Sequence, residues 1–140
     1  MKKLKKLWKK IKNKGRRKNL SLPFKLSRPL NIGVIGAGIQ ASRLIEQVIG
    51  AGAKVVAVHD VKIEAAKKLA KLSNSKLSTT NLDEFFEVPM DGLLLCTIPT
   101  VRVEPIKRAC DKKIHLLIEK PAAYNLNTVK NVWIILTNLA

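Results

Sequence analysis

The sequence has few of the residues on which several common kinds of protein depend. It contains two cysteines, Cys96 and Cys110, and only 4% aromatic residues. Two cysteines give neither a metal-ligand spacing nor a disulfide framework, and free cysteines fit a reducing compartment. No apolar run approaches the roughly 20 residues of a membrane-spanning helix, and no secretory signal is recognisable. We therefore expect a cytoplasmic protein whose core is filled mainly by aliphatic side chains.

Acidic residues are absent from the first 30 positions, which carry thirteen Lys or Arg residues. The rest of the chain has fourteen basic and ten acidic residues, so its net charge of +4 is a small part of the total of +17. The basic character therefore belongs mostly to an arm. We predict a basic arm with a proline-containing linker over residues 1–30 and a single domain over residues 31–140.

The arm has the pattern of an amphipathic helix over residues 1–18. Apolar residues recur in it at steps of three and four: Met1, Leu4, Leu7, Trp8 and Ile11. Such a helix suits an anionic membrane surface, which would make the protein peripheral to the membrane. Nucleic acid is a less expected partner, because one aromatic residue gives base stacking little support. A solvated basic tail explains the same charges equally well.

From residue 31 onward, short apolar strands alternate with helical patterns. Strands are predicted at 32–35, 54–58, 76–80, 92–96 and 114–118, and helices at 39–49, 63–72, 82–86, 103–110 and 126–138. Strands that are apolar throughout are typical of a parallel sheet covered by helices on both faces. The predicted fold class is α/β, with a doubly wound, Rossmann-like parallel sheet.

A glycine-rich segment, GAGIQA at 36–41, matches the G-x-G-x-x-G/A pattern directly after a strand and at the start of a helix. Gly36 allows a tight turn, and the missing side chain of Gly38 lets a pyrophosphate approach the backbone. Ala41 is small enough for the helix to lie close to the strand. We predict that these residues, together with Ile39 and Gln40, bind a dinucleotide at the helix N-terminus.

Asp60 ends the next strand, 24 residues after Gly36. An acid about 20 residues beyond the glycines is expected to accept hydrogen bonds from ribose hydroxyls, and it would repel a 2′-phosphate. No Arg follows at position 61 or 63, so NAD is predicted in preference to NADP. The alternative is that the glycines only form a turn and that Asp60 caps a helix. The complete order of strand, glycines, helix, strand and acid favours the cofactor site.

Two later segments carry a more particular resemblance. They are DGLLLCTIPT at 91–100 and LIEKP at 117–121. Together with Gly36, Gly38 and Asp60, they make residues 31–127 similar to the N-terminal NAD(P)-binding domain of the Gfo/Idh/MocA oxidoreductases. That family includes glucose–fructose oxidoreductase and inositol dehydrogenase. The Glu-Lys-Pro triplet is the most specific part of the resemblance.

The resemblance implies hydride transfer between a nicotinamide and a hydroxyl-bearing carbon of a sugar, polyol or similar small molecule. It implies that Lys120 is catalytic, polarising a carbonyl or moving the hydroxyl proton. Glu119 would contribute to the cofactor site, and Pro121 would fix the backbone that aims Lys120. The loop that contains Thr97 and Pro99 would pass beside the cofactor.

The sequence departs from the family pattern in two places. Val103 stands where many members have a His that shapes the cofactor loop, which predicts weaker cofactor binding. The family's sixth strand and its substrate domain, a mostly antiparallel sheet with further catalytic residues, have no counterpart before Ala140. We therefore expect an incomplete Rossmann sheet and no turnover by these 140 residues alone. His59 and His115 are expected to be structural or surface residues that do not replace the missing partners of Lys120.

Two functions follow from these patterns. The first is an NAD(P)-dependent oxidoreductase that is present as a truncated or split chain. The second is a non-catalytic nucleotide-binding or scaffold protein whose basic arm binds a membrane surface or polyanions. In either case, an open sheet edge and an apolar last helix predict self-association or a partner chain.

Overall fold

The computed structural model describes residues 27–137, so the predicted helix over residues 1–18 lies outside the described residues. The strands are β1 (Asn31–Ile35), β2 (Lys54–His59), β3 (Leu77–Thr79), β4 (Gly92–Leu95) and β5 (His115–Ile118). The helices are α1 (Ile39–Gly50), α2 (Ile63–Ser73), α3 (Leu82–Glu87), α4 (Val103–Asp111) and α5 (Leu126–Thr137). A single 3₁₀ turn, Pro99–Val101, precedes α4. The predicted elements are therefore confirmed within the described range.

All strands of the sheet are parallel, in the order β3-β2-β1-β4-β5. The chain runs outward from β1 through β2 to β3, then returns to the other side of β1 and continues through β4 to β5. The connections after β1 and β4 therefore leave in opposite directions. This reversal creates a crevice at the carboxyl ends of these two strands, the usual position of a ligand in a doubly wound sheet.

Helices cover both faces of the sheet, as the apolar strands predict. On one face, α1 and α2 bury a core that includes Val34, Ala41, Ile45, Val58, Leu69 and Leu94. On the other face, α3, α4 and α5 bury a core that includes Ile35, Phe85, Leu93, Leu95, Ile106 and Val132. The doubly wound α/β fold is confirmed.

The edge strand β5 differs from the expectation of strands buried on both faces. Leu116 and Ile118 pack against the core beneath α4 and α5, whereas Leu117 on the opposite face is 58% exposed. The reason is that β5 pairs with β4 alone in the described part of the chain, so helices flank only one side of it. The edge of the sheet next to β5 is open there.

Helix α5 is apolar on more than one face, as its sequence predicts. Val132 is buried, and Trp133 is 67% exposed. Four more of its apolar residues are exposed: Leu126, Val129, Ile134 and Leu136. Across residues 27–137 none of the helices has both the length and the apolar character needed to cross a membrane.

The end of the linker is attached to the sheet at the amino ends of its strands. Two nitrogens of the Arg28 guanidinium donate to the Asp91 carboxylate at 2.7 and 2.6 Å, which also accepts from the Asn31 N–H at 2.7 Å. These hydrogen bonds, that of Arg28 foremost, hold the pKa of Asp91 well below its usual range. The Leu30 carbonyl accepts from Lys54 N–H at 2.8 Å. The linker thus joins the domain at the amino ends of the strands, and the crevice lies at their carboxyl ends.

Candidate functional site

The turn after β1 requires glycine at its first position. Gly36 has a φ of +92°, and a Cβ built there would lie 2.8 Å from the main-chain carbon of Cys96 and from the nitrogen of Thr97. Its N–H donates to the His59 carbonyl at 2.9 Å. The turn is therefore held against the loop after β4 on one side and against the end of β2 on the other.

Gly38 occupies the N-terminus of α1 and faces open space. Its φ of −79° is ordinary, and a Cβ added there would meet nothing within 4 Å. The first turn of α1 has no acidic residue and no side-chain cap, so its N–H groups are available to an anion from outside the helix. Ile39 is 76% exposed beside it, whereas Ala41 is fully buried beneath the helix.

The Asp60 carboxylate is fixed next to the glycine turn. One oxygen accepts from the Ala37 N–H at 2.7 Å, and the other accepts from the Lys62 N–H at 2.8 Å. The hydrogen bond with Lys62 is local, and it is expected if Asp60 only caps the helix that follows it. The contact with Ala37 is different, because it joins the end of β2 to the glycine segment and sets the carboxylate at the mouth of the crevice.

The Glu-Lys-Pro triplet follows β5 at the carboxyl ends of the strands, where the glycine segment also lies. The Glu119 N–H donates to the Leu95 carbonyl at 3.0 Å and continues the pairing with β4. One carboxylate oxygen of Glu119 accepts from the Gln40 side-chain amide at 3.0 Å, and the other accepts from the Lys120 N–H at 3.1 Å. The Lys120 side chain is exposed, and the Lys120–Pro121 peptide bond is cis. The glycine segment and the triplet, 79 residues apart in sequence, are thus in direct contact.

The loop after β4 lies between these two segments. The Thr97 hydroxyl is buried and has no hydrogen-bond partner within residues 27–137, and Pro99 begins the 3₁₀ turn. Burial raises the pKa of the Cys96 thiol to about 11, and the Glu119 charge adds to this effect while the Arg102 charge opposes it. Cys96 is therefore a neutral thiol at neutral pH and is not a candidate nucleophile.

Neither histidine approaches Lys120. His59, at the end of β2, is buried, and its Nε2 lies 3.2 Å from the Thr80 carbonyl oxygen. His115 begins β5, whereas Lys120 follows the carboxyl end of the same strand. Burial lowers the pKa of His59, although the contact with Thr80 and the charge of Asp60 oppose this. Among the described residues, no group of three His, Cys, Asp or Glu side chains could hold a metal ion.

Arg102 is a site residue that the sequence reasoning missed. It is 2% exposed, and its Nε donates to the Thr97 carbonyl at 3.0 Å. The two Nη atoms donate to the carbonyls of Thr97, Glu119 and Pro121. The only sequence signal is a single Arg between Val101 and Val103, and an exposed lysine or arginine at the start of a helix gives the same pattern. Val103 itself begins α4 and is half-buried.

These groups together fit a dinucleotide. The open space beside Gly38 and the uncapped helix end match a pyrophosphate, and the Asp60 carboxylate matches ribose hydroxyls. The buried Thr97 hydroxyl is a further polar group at the crevice, and it has no hydrogen-bond partner in the part of the chain that the structure describes. The residues that hold this arrangement come from the ends of β1, β2, β4 and β5.

Comparison with known proteins gives the same assignment. Residues 30–138 match the Gfo/Idh/MocA family, described as an oxidoreductase family with an NAD-binding Rossmann fold. The chain is 26% identical over 105 residues to the uncharacterized oxidoreductase YrbE of Bacillus subtilis, which covers 73% of this chain and 30% of that protein.

Two solved structures share the fold at 18% identity. The myo-inositol 2-dehydrogenase of Lactobacillus plantarum superposes with a TM-score of 0.72, covering 79% of this chain and 34% of the other. The WlbA dehydrogenase of Bordetella pertussis, in complex with NADH and UDP-GlcNAcA, superposes with a TM-score of 0.75, covering 83% and 35%.

The chain therefore spans about a third of the length of these relatives. Its match to the family nevertheless covers more than half of its own residues, and the fold and the order of the motifs agree with that match. The chain belongs to the Gfo/Idh/MocA oxidoreductase family, and residues 30–138 are its NAD-binding Rossmann domain.

Proposed function

We propose that this chain is the cofactor-binding part of an NAD-dependent oxidoreductase that acts on a hydroxyl-bearing carbon of a sugar, polyol or similar small molecule. The observation that carries the proposal is the contact between the Gln40 amide and the Glu119 carboxylate. It brings the glycine segment and the Glu-Lys-Pro triplet to one crevice, where a dinucleotide can reach both.

In this proposal the residues divide into two groups. Gly36, Gly38, Ile39, Gln40 and Ala41 form the pyrophosphate end of the cofactor site. Asp60 binds the adenosine ribose.

The second group lies toward the nicotinamide. It consists of the loop with Thr97 and Pro99, together with Glu119, Pro121 and the catalytic candidate Lys120. NAD, when bound, supplies the redox chemistry, because its nicotinamide ring can accept or donate a hydride. The exposed Lys120 side chain, as an ammonium, polarises a substrate carbonyl when the carbonyl is reduced. In the reverse direction its neutral amine accepts the proton that the substrate hydroxyl loses as the hydride leaves.

The cofactor preference is tested at Asp60. Because its carboxylate is held by the N–H groups of Ala37 and Lys62, its remaining lone pairs point from a fixed position. We expect Asp60→Ala to weaken NADH binding by roughly 10- to 150-fold, the range of a lost hydrogen bond to a charged group. The same change should narrow the preference for NADH over NADPH. Asp111→Ala, which removes an exposed carboxylate at the end of α4, is the matched control and should leave both affinities unchanged.

Saturable quenching of NADH fluorescence is the measurement for both variants. An absence of binding by the wild-type chain at millimolar NADH would contradict the proposal. Equal losses in the Asp60 and Asp111 variants would instead indicate a general charge effect and not a ribose contact.

The alternative function is a non-catalytic nucleotide-binding or scaffold protein. The exposed apolar residues of α5 and the open edge at β5 fit both functions, because such surface can pack against a substrate domain or against a scaffold partner. NADH formation from NAD, followed by absorbance with a panel of sugars, polyols and nucleotide sugars, distinguishes the two functions. Turnover that Lys120→Met abolishes and Lys112→Met retains supports the enzyme. NAD binding without turnover in the natural assembly supports the alternative.

We also propose that the basic arm binds an anionic membrane surface. The proposal is supported by the thirteen basic residues of positions 1–30 and by the apolar pattern in residues 1–18. Vesicles with and without phosphatidylserine test this in a sedimentation assay.

Two variants of the full chain locate the effect in the arm. Replacing Lys2, Lys3, Lys5 and Lys6 with Gln should greatly reduce sedimentation with anionic vesicles. Replacing Lys67, Lys68, Lys71 and Lys76, on or after α2, with Gln removes the same charge from the domain and should reduce it little. Equal behaviour of the two variants would exclude the arm as the binding element.

A further inference from the structure

The buried Arg102 guanidinium joins the two loops that form the reactive end of the crevice. All of its hydrogen bonds within the described residues end on main-chain carbonyls. Thr97, after β4, provides one of these carbonyls. Glu119 and Pro121, after β5, provide the others. These two residues flank Lys120, so a single nitrogen of Arg102 binds the main chain on both sides of it.

A purely structural role explains this arrangement poorly. A guanidinium taken from water to a site that is 2% exposed loses much of its hydration, and such burial is tolerated only when its N–H groups are well bonded. An apolar side chain could fill the same space without that cost. The planar fork of an arginine differs because it can bind several acceptors in fixed directions. Here the acceptors belong to the two loops that face the same crevice.

The charge of Arg102 is also close to the site. Burial lowers the pKa of the Arg102 guanidinium, and the nearby negative charge of Glu119 opposes this effect. Glu119 in turn accepts from the side-chain amide of Gln40 in the glycine segment. A change at Arg102 therefore affects the position of the Lys120 main chain directly and the Glu119 contact through it.

We propose that Arg102 is a positioning residue for the nicotinamide end of the cofactor site, and that it fixes the main chain on both sides of Lys120 relative to the Thr97 loop. This inference rests on the proposed function, because it assigns the nicotinamide to the Glu-Lys-Pro end of the crevice. It predicts a specific consequence. Loss of Arg102 should disturb binding of the nicotinamide half of NADH and leave the adenosine and pyrophosphate contacts at Asp60 and Gly38 in place.

ADP-ribose provides the test, since it shares the adenosine, pyrophosphate and second ribose with NADH but lacks the nicotinamide. Affinities for both ligands are measured by calorimetry in the full chain and in Arg102→Met, Arg102→Lys and the control Arg108→Met. Arg108 lies in α4, the helix that Arg102 directly precedes, and its ion pairs are with Asp83 and Glu104 on the surface.

We expect Arg102→Met to reduce the ratio of NADH affinity to ADP-ribose affinity by at least about tenfold, the loss typical of one hydrogen bond from a charged donor. Arg102→Lys should restore part of the ratio, and Arg108→Met should leave it unchanged. Equal losses of both ligands in Arg102→Met would overturn the proposal, because a structural defect has no reason to spare ADP-ribose. An unchanged ratio would overturn it as well.

A measurement on the wild-type chain keeps the test decisive if the Arg102 variants do not fold. The Nε–H of Arg102 gives a nitrogen-15 NMR signal that should shift on addition of NADH and stay in place with ADP-ribose. Identical responses to both ligands would overturn the positioning role. Failure of the wild-type chain to bind either ligand would instead refute the proposed function itself, so the two failures are distinguishable.

Discussion

The two glycines of the pyrophosphate turn provide a test that separates folding from binding. Gly36→Ala places a methyl group in a residue with a φ of +92°, 2.8 Å from main-chain atoms of Cys96 and Thr97. The left-handed conformation costs an L-residue about 1–2 kcal/mol, and overpacking adds about 1–3 kcal/mol. We therefore expect the free energy of unfolding to fall by about 3 kcal/mol.

Gly38→Ala should instead keep the stability of the fold and weaken NADH binding. The φ of −79° is accessible to alanine, and the added methyl meets nothing within 4 Å. We expect its stability to change by less than about 1 kcal/mol, since the gain from reduced freedom of the unfolded chain offsets the poorer helix cap. The methyl does, however, occupy the space through which a phosphate approaches the helix N–H groups. NADH affinity should fall by about tenfold or more, because a hydrogen bond to a charged group is worth about 1.5–3 kcal/mol.

Urea denaturation followed by circular dichroism gives the stabilities, and NADH fluorescence gives the affinities. Gly50→Ala is the control, because it lies at the other end of α1 and also faces open space. Its stability and its affinity for NADH should both stay close to those of the wild type. Wild-type stability in Gly36→Ala would refute the reasoning about the turn. Wild-type NADH affinity in Gly38→Ala would refute the assignment of the phosphate site.

Three further predictions concern the domain around the site. Because burial lowers the pKa of His59, the unfolded chain binds the proton more readily than the folded one below about pH 6.5, so stability should rise with pH up to that value. His59→Asn should flatten this rise in denaturation curves measured from pH 5 to 7; an unchanged slope would assign it to other groups. Asp91 has a depressed pKa, so its pair with Arg28 stabilises the fold at neutral pH and is lost on acidification. Asp91→Ala should therefore be destabilised at pH 7, and its difference from the wild type should begin to shrink as the pH falls below about 4, the usual pKa of an aspartate. A difference that stays constant on acidification would contradict this. Val132→Ala should cost about 2 kcal/mol of stability, within the range for truncated core residues, and leave NADH affinity unchanged. A loss of less than about 0.5 kcal/mol would show that Val132 does not anchor α5 in the core on this face of the sheet.

The sequence predicted the fold because each local pattern agreed with the others. The strands are short and apolar, the intervening segments have helical periodicity, and glycines mark the turn after β1. Local signals of this kind depend only on neighbouring residues, so they can be read without the tertiary structure. Asp60 also followed from this reasoning, because its distance from Gly36 is fixed by the length of one helix and one strand.

Other features depend on contacts that are distant in sequence. The partial exposure of β5 is one, since an apolar strand has the same composition at the edge of a sheet as at its centre. Arg102 is another, since its burial results from the meeting of two loops that end on different strands. The contact between Gln40 and Glu119 likewise joins residues 79 apart.

By itself, therefore, the sequence determined the α/β class, the family resemblance and the candidate residues Gly36, Gly38, Asp60 and Lys120. These depend on residue type, on spacing and on the order of elements, all of which are local or linear. Only the tertiary structure decided how these residues meet, because the parallel sheet brings the ends of β1 and β4 together and places β5 beside them. It also decided that a buried arginine holds the main chain around Lys120, since no linear pattern records which carbonyls a side chain will reach.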